Sequence, residues 1–372
     1  MKIKQRVLYN LAQIPGWHTD RRIVVIESDD WGSIRMRSGE AIKQLRKLGL
    51  KITDPFNQYD ALASEEDLSC LFEVLTKFKD REGNHPVITA NTIMANPDFK
   101  KIQESDFKEY HFELFTDTLQ KYPDHKGSFM LWKEGMKNKV FHPQYHGREH
   151  VNIFRWLRAL KSSENAVKKG FDHQVFGLRE EKGSFRDSFM RALDFQNKEQ
   201  LEILEKNLLE GLELFKNVFG YASRSFIAPS YVWNEQIEQK LALNQVKYLQ
   251  GIAYQYIPKI GKEALQKEIH YTGQRNQYRQ IYLIRNAFFE PSLYKKKTIE
   301  ETLNRIEIAF RWNKPAIIGS HRINYIGYLE KRNRDENLIL LRDILKVISK
   351  KWPEVEFMTT DQLGDLITGN NM

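Results

Sequence analysis

The feature that most constrains the fold is the alternation of short apolar runs with longer stretches of helical periodicity along the 372 residues. Apolar runs bounded by turn residues are typical of buried strands, and the stretches between them have the 3.6-residue spacing of amphipathic helices. Such alternation indicates consecutive βα units, which build parallel sheets. The predicted strands are 23–28, 86–91, 139–142, 184–189, 224–229, 246–251, 280–288, 315–320 and 355–359.

Seven to nine βα units favour a barrel, or an incomplete barrel, over an open doubly wound sheet. The fingerprint G-x-G-x-x-G does not follow the first strand and the sequence has no Walker loop, which weakens the Rossmann alternative. We predict an α/β fold, a distorted (β/α) barrel of about seven parallel strands with helical insertions. It forms one domain over residues 1–372, with its core at about 21–368. Strand ends are where the chemistry of such barrels lies.

The first predicted strand ends in two adjacent carboxylates, in the stretch RRIVVIESDDWGSIRM. Neighbouring side chains at a strand end point in different directions, so one of Asp29 and Asp30 could hold a cation while the other takes a proton. A turn in which Asp30 or Ser33 caps the next helix explains the same residues. The pair alone favours that structural interpretation.

Three of the ten histidines follow the third predicted strand, at His142, His146 and His150 in VFHPQYHGREHVNIF. If a helix begins near Gly147, His146 and His150 lie on one face of its first turn and can share one ion as neutral imidazoles. Two histidines with a carboxylate from elsewhere form the ligand set of an open, catalytic divalent site. A surface or packing role is the usual alternative for a lone histidine pair.

Two further strand ends carry candidate residues. The stretch IIGSHRINY places His321 and Arg322 at a strand end, and histidine is well suited to protonate a leaving group near neutral pH. The stretch RSFIAPSYVWN offers Tyr231 and Trp233, which could stack on a sugar ring. A hydrogen-bonded histidine in a loop, and aromatic residues packed in the core, would explain the same residues about as well.

The composition excludes several classes of protein. Cys70 is the only cysteine, so the chain forms neither an intrachain disulfide nor a cysteine-rich metal site. Apolar runs of about 18 residues and the pattern of a signal peptide are absent from the sequence, so we predict a cytoplasmic protein without a transmembrane segment. The net charge of +9 comes from residues spread along the chain without a nucleic-acid-binding motif. This pattern indicates solubility, and no nucleic acid partner is predicted.

In order and context, these motifs resemble those of the polysaccharide deacetylase family, from about residue 23 to 366. The family's Thr-Phe-Asp-Asp-Gly motif is similar to ESDD at 27–30, and its His-[Ser/Thr]-x-x-His motif is similar to HGREH at 146–150. Its Leu-x-x-His motif is similar to IGSH at 318–321, and EFMTTDQLGDLI resembles its closing strand and helix.

The resemblance implies a barrel that binds one divalent ion, most simply Zn²⁺, through Asp30, His146 and His150. It also implies a metal-dependent deacetylase in which Asp29 is the general base and His321 the general acid. The substrate would carry an N-acetyl or O-acetyl group on a sugar of a glycan or of its cytoplasmic precursor. Because the pattern of a secretion signal is absent, we predict a nucleotide-linked or lipid-linked sugar as the substrate rather than an extracellular polymer.

The sequence departs from the family pattern in three places. The family's third motif has an arginine that holds the base, but here that position is Ile227, and Arg285 or Arg322 are the candidates to replace it. Trp31 displaces the glycine after the aspartates and could reshape the pocket. His142 leaves open a shifted ligand set. The predicted substrate-binding residues are Trp31, Tyr231, Trp233 and Arg322.

Two other functions remain open on the same barrel. In a metal-dependent glycoside hydrolase, Asp29 would attack an anomeric carbon as the nucleophile. In a non-catalytic carbohydrate-binding protein, Asp29→Asn would change nothing measurable. Released acetate distinguishes the deacetylase from the glycosidase, which releases a reducing sugar.

Overall fold

The computed structural model describes residues 3–162, 165–178, 188–262, 264–294 and 298–369. The strands are β1 (Arg22–Trp31), β2 (Ile88–Ile93), β3 (Ala95–Pro97), β4 (Phe112–Leu114), β5 (Phe141–Gly147), β6 (Ser225–Ile227), β7 (Tyr248–Gly251), β8 (Tyr254–Ile257), β9 (Gln266–Ile269), β10 (Ile281–Ile284), β11 (Ala287–Phe288), β12 (Ala316–His321) and β13 (Val355–Met358). The helices are α1 (Ile3–Leu11), α2 (Gly39–Lys47), α3 (Pro55–Tyr59), α4 (Glu65–Thr76), α5 (Phe99–Glu104), α6 (Phe115–Lys121), α7 (Ser128–Lys137), α8 (Ile153–Lys161), α9 (Asn165–Asp172), α10 (Lys198–Phe219), α11 (Glu235–Leu243), α12 (Thr298–Arg311), α13 (Lys331–Lys351) and α14 (Thr360–Thr368).

The main sheet has the strand order β10-β7-β6-β5-β2-β1-β12-β11, all parallel, and β13 pairs with the first half of β1. Its two edge strands, β10 and β11, are separated in the chain only by Arg285 and Asn286. Arg285 N donates to Gly251 O of β7, and Asn286 N donates to Ile317 O of β12. One extended segment therefore joins both edges and closes a parallel barrel, as predicted.

The inward side of β1 changes from apolar to charged along its length. Ile23 and Val25 are fully buried in an apolar cluster with Leu363 of α14. Because side chains alternate along a strand, the next residues with the same orientation are Glu27 and Asp29. Both are buried. The amino end of the barrel is therefore apolar, while its carboxyl end carries charges.

Helices cover the outside of the barrel, where Val24 and Ile26 of β1 belong to the main hydrophobic core. α4 begins with a capping box, in which Ser64 Oγ accepts from Asp67 N and Asp67 Oδ2 accepts from Ser64 N. α10 ends at Gly220, which has a φ of 80°. Within the described ranges, no helix combines the length and the apolar character needed to cross a bilayer.

Two predicted strands differ from the structure. Of the strand predicted at 184–189, residues 184–187 lie outside the described residues, and 188–189 belong to no strand. The strand predicted at 280–288 is divided between β10 and β11, because its first half pairs with β7 and its second with β12. The others correspond to β1, β2, β5, β6, β7, β12 and β13 with shifted ends.

Candidate metal and catalytic site

A β-bulge places both aspartates at the carboxyl end of β1. Between Ser28 and Trp31 the register against β2 shifts, so that Asp29 and Asp30 together oppose Asn91. Asp30 has a φ of 71°, a left-handed conformation that is uncommon for residues other than glycine. A bulge redirects a side chain that strand alternation would send to the opposite face. Both carboxylates can therefore line the same end of the barrel.

A second bulge lies in β5 at His146. Tyr145 pairs with Thr92 and Gly147 with Ile93, the next residue of β2, so His146 has no partner of its own. Gly147 has a φ of 134°, which favours glycine. The two bulges lie on strands that flank β2, so they bring Asp30 and His146 together.

Asp30, His146 and His150 form a compact, buried group. Asp30 Oδ1 lies 3.0 Å from His150 Nε2 and 3.5 Å from His146 Nε2. One potential ligand atom from each residue lies within 4.8 Å of the other two. His146 Nδ1 donates to Ile227 O over 2.8 Å, which leaves the Nε2 lone pair facing Asp30. Among the described residues, His146 Nε2 finds no hydrogen-bond partner.

The pKa directions of Asp30 and His150 suit a cation. Burial opposes the charge on Asp30, but His150 and His146 hold the pKa of its carboxyl well below its usual range. Burial lowers the pKa of His150, although Asp30 acts in the opposite direction. An ionised carboxylate and neutral imidazoles are what a divalent ion requires of its ligands.

Asp29 is held by two donors beside this group. Arg285 donates from Nη2 to Asp29 Oδ1 and from Nη1 to Asp29 Oδ2, each over 2.7 Å. Asn91 Nδ2 donates to Oδ1 over 2.8 Å. Burial raises the pKa of Asp29, but the Arg285 charge outweighs burial and the pKa is lowered. Since Oδ1 accepts two hydrogen bonds and Oδ2 only one, Oδ2 retains a lone pair that can take a proton.

Arg285 joins Asp29 to a second buried carboxylate. Its Nε donates to Glu27 Oε2 over 2.7 Å, and Thr360 Oγ1 donates to Glu27 Oε1 over 2.9 Å. Burial raises the pKa of Glu27. Gly319 gives the arginine room, because a Cβ there would lie 2.6 Å from Arg285 Cδ. Of the two arginines considered for the missing motif position, Arg285 is therefore the one that holds Asp29.

His321 lies opposite Asp29 in the β1–β12 register, with its Nε2 3.9 Å from Asp29 Oδ2. Its Nδ1 donates to Glu290 Oε1 over 2.6 Å, and Asn324 Nδ2 donates to Glu290 Oε2 over 2.6 Å. Burial lowers the pKa of His321, but the Glu290 charge outweighs burial, and the net effect raises this pKa to about 9. The imidazole is therefore protonated at neutral pH and can donate from Nε2.

The overall architecture is similar to that of a Parabacteroides distasonis protein assigned to the glycoside hydrolases/deacetylases. The TM-score is 0.51 at 9% identity, over 95% of this chain and 72% of that chain. The chain therefore shares the (β/α) barrel fold of that protein.

Two weaker similarities concern solved structures with TM-scores below 0.5. A Mycobacterium smegmatis protein assigned as a polysaccharide deacetylase has a TM-score of 0.46 at 12% identity, over 95% of this chain and 93% of that chain. A 4-alpha-glucanotransferase from Thermococcus litoralis has a TM-score of 0.44 at 9% identity, over 92% of this chain and only 40% of that chain. No protein-family model and no curated protein matches the sequence.

The helix predicted to carry both histidines does not form. β5 continues to Gly147, and α8 begins only at Ile153, with Asn152 as its N-cap. The prediction was wrong because the bulge at His146 and the positive φ of Gly147 interrupt a helical backbone there. His150 approaches Asp30 from a loop instead.

Three predicted substrate-binding residues lie in the interior of the barrel protein. Trp31 is fully buried, with its ring centroid 4.8 Å from that of Phe141, so it cannot contact a substrate. Trp233 is 3% exposed and donates from Nε1 to a buried glutamate. Arg322 is fully buried and forms two hydrogen bonds with Asp60. The predictions for Trp31 and Arg322 were wrong, because neither side chain reaches a surface. For Trp233 the structure shows a packed, hydrogen-bonded side chain, and a role in substrate binding stays a prediction from the sequence.

Of the two remaining predicted residues, Tyr231 lies at the site and His142 lies away from it. Tyr231 is partly buried, and its hydroxyl lies 3.4 Å from Arg285 Nη1, so it lies beside Asp29. His142 lies near the start of β5 and hydrogen-bonds Asp361 of α14 over 3.0 Å. Because strand residues advance about 3.3 Å each, four positions separate it from His146 by roughly 13 Å. His142 is therefore not part of the ligand group.

Sequence reasoning missed three residues of the site. Glu290 follows the apolar run AFF directly, so a carboxylate at a strand end was a readable signal. Asn91 ends a predicted strand and was equally readable. Arg35, whose Nη2 lies 3.4 Å from Asp30 Oδ2, lies in a loop without any local pattern.

Proposed function

We propose that the protein is a metal-dependent deacetylase that removes an acetyl group from an N-acetylated or O-acetylated sugar. One observation carries this proposal: the buried group of Asp30, His146 and His150 lies directly beside Asp29, which has a free acceptor lone pair, and His321, which has an available proton. A base, an acid and a cation site side by side are what acetyl hydrolysis requires.

The residues of the group fit a divalent cation. The buried His146 Nε2 lacks a hydrogen-bond partner in the described part of the chain and faces an ionised carboxylate. Two imidazoles with one carboxylate leave further coordination positions open and suit Zn²⁺. Bound there, the ion would polarise the acetyl carbonyl and lower the pKa of a nearby water.

Asp29 and His321 divide the proton transfers. Asp29 Oδ2 takes a proton from the attacking water, while Arg285 and Asn91 keep the carboxylate in place. His321 Nε2 gives its proton to the departing amine or hydroxyl, and Glu290 stabilises the imidazolium from the other side. The acetyl group leaves as acetate.

The proposal also concerns which acetylated sugar is the substrate. The preference for a nucleotide-linked or lipid-linked sugar, and for a cytoplasmic location, remains a prediction from the sequence. Two partly buried aromatic residues beside the acid and base could contact a sugar. The ring centroid of Phe56 lies 5.4 Å from that of His321, and the Tyr231 hydroxyl lies 3.4 Å from Arg285 Nη1.

The experiment is acetate release from a panel of N-acetylated sugar nucleotides and oligosaccharides, with and without a chelator. We expect acetate that the chelator abolishes and added Zn²⁺ restores. In the same reactions, a reducing-sugar assay tests the glycosidase alternative. Reducing sugar without acetate would refute the deacetylase.

The Asp29→Asn variant tests the assigned base. We expect a loss of turnover of about a hundredfold or more, because the amide cannot accept the proton. Its zinc content should equal that of the wild type, since Asp29 is not in the ligand group. An Asp29→Asn protein that retains full turnover would exclude Asp29 as the base.

A further inference from the structure

Arg35 is a buried cation at the candidate metal group to which the proposed chemistry gives no role. It lies after β1, and its side chain is 9% exposed. Its Nη2 lies 3.4 Å from Asp30 Oδ2, whereas the two histidines face Asp30 Oδ1. The two oxygens of Asp30 therefore have different neighbours.

The position of Arg35 is fixed from behind by further charges. Its Nε lies 3.7 Å from Asp60 Oδ2, and Asp60 is fully buried. Arg322 donates two hydrogen bonds to Asp60, over 3.1 and 3.0 Å, and a third to Ser33 O over 2.6 Å. The result is a buried row of alternating charges, formed by Asp30, Arg35, Asp60 and Arg322.

Aromatic rings enclose the same guanidinium. Its Cζ lies 5.3 Å from the ring centroid of Phe56 and 5.9 Å from that of Phe176. Such contacts favour a cation and restrict its movement. Arg35 is therefore held against Asp30 and cannot turn out to solvent without breaking these contacts.

The fixed positive charge of Arg35 acts on any divalent ion bound at the neighbouring metal group. Positive charges repel strongly where water is excluded, so Arg35 weakens the affinity of the group for a divalent ion. The same guanidinium donates to Asp30 Oδ2 over 3.4 Å, and its positive charge disfavours a second cation contact at this oxygen. Both effects leave a bound ion with less of its charge neutralised and with more of its coordination positions open.

We propose that Arg35 is a positioning residue that restricts Asp30 to one metal-binding oxygen, Oδ1, and keeps the ion more reactive at the expense of affinity. The inference rests on the proposed metal site. Outer partners of ligands commonly change metal affinity or activity by about 10–100-fold. When Arg35 is replaced, we expect the metal affinity and the turnover to change in opposite directions.

The test is Arg35→Gln, which keeps a hydrogen-bond donor and removes the charge. We expect Zn²⁺ to bind about tenfold more tightly in competition with a chelator, while kcat for acetate release falls about tenfold. Arg35→Lys keeps the charge and should hold the zinc affinity within about threefold of the wild type. Arg224→Gln, which removes an arginine bound to Asp365, is the control and should leave zinc affinity unchanged.

Asp60→Asn provides a second measurement if Arg35→Gln does not fold. Without the Asp60 charge, Arg35 acts on Asp30 alone, so zinc should bind several-fold more weakly, opposite to Arg35→Gln. Weaker or unchanged binding in Arg35→Gln would overturn the inference while leaving the metal site intact. If that variant does not fold, tighter or unchanged binding in Asp60→Asn would overturn it. Wild-type protein that binds no divalent ion would instead overturn the proposed function itself.

Discussion

The His321 imidazole hydrogen-bonds Glu290, and this carboxylate outweighs burial in setting its pKa at about 9. An acid with a raised pKa is charged below that value and loses its proton as the pH rises through it. The rate of acetate release should therefore fall as the pH rises toward about 9. A bound cation adds positive charge and moves this fall to lower pH.

Glu290→Gln tests the origin of this shift. The amide retains a hydrogen bond but not the charge, so the alkaline fall in kcat/KM should move down by about one pH unit or more. The kcat/KM profile between neutral and alkaline pH measures it. An unchanged profile would show that Glu290 does not control the acid.

Also at the scale of residues, His146→Ala and His150→Ala should each lose the ion, because each removes one of three ligand atoms. Elemental analysis of the purified variants measures this. His142→Ala is the matched control, since His142 bonds Asp361 instead, and it should stay loaded. Fully loaded His146→Ala and His150→Ala proteins would exclude the ligand assignment.

At the scale of elements, the site depends on irregularities in two strands. The bulges at Asp30 and His146 interrupt the pairing of β2 with β1 and with β5, and each redirects one candidate ligand. Regular strands would send alternate side chains to opposite faces. The local strain is retained where it positions the ligand group.

Gly32→Ala tests the bulge in β1. Gly32 has a φ of 81°, and a Cβ there would lie 2.3 Å from Ile93 O. We expect the free energy of unfolding to fall by about 2 kcal/mol or more. Chemical denaturation measures it. Gly39→Ala, where nothing lies within 4 Å of the added Cβ, is the control and should be nearly neutral.

At the scale of the whole molecule, the barrel closes through the segment that carries Arg285. This segment pairs with β7 before Arg285 and with β12 after Asn286. The arginine at this junction compensates Glu27 and Asp29, which come from the strand beyond β12. Closure of the barrel and placement of the base therefore depend on the same residue.

Arg285→Met should lower the free energy of unfolding by about 3–5 kcal/mol at neutral pH, because it removes the counter-charge that two buried carboxylates share. The loss should shrink as the pH falls, since protonation removes the uncompensated charges. Denaturation at several pH values measures it. The control is Arg21→Met, which removes a surface pair with Glu356 and should cost below about 1 kcal/mol. Equal losses in both variants would contradict the role of Arg285.

The sequence alone determined the barrel, because the period of apolar residues is a local property that distinguishes buried strands from amphipathic helices. It also determined the residue types of the site, since Asp29, Asp30, His146, His150 and His321 stand at or just beyond strand ends in readable motifs. The fold similarity supports this reading of the architecture.

Only the tertiary structure decided how these residues meet. The bulges, the junction at Arg285 and the row from Asp30 to Arg322 join residues that are distant in the chain. Burial likewise separated Trp31 from the site. The physical reason is that register, closure and burial are set by pairing and packing between strands, which no local pattern records.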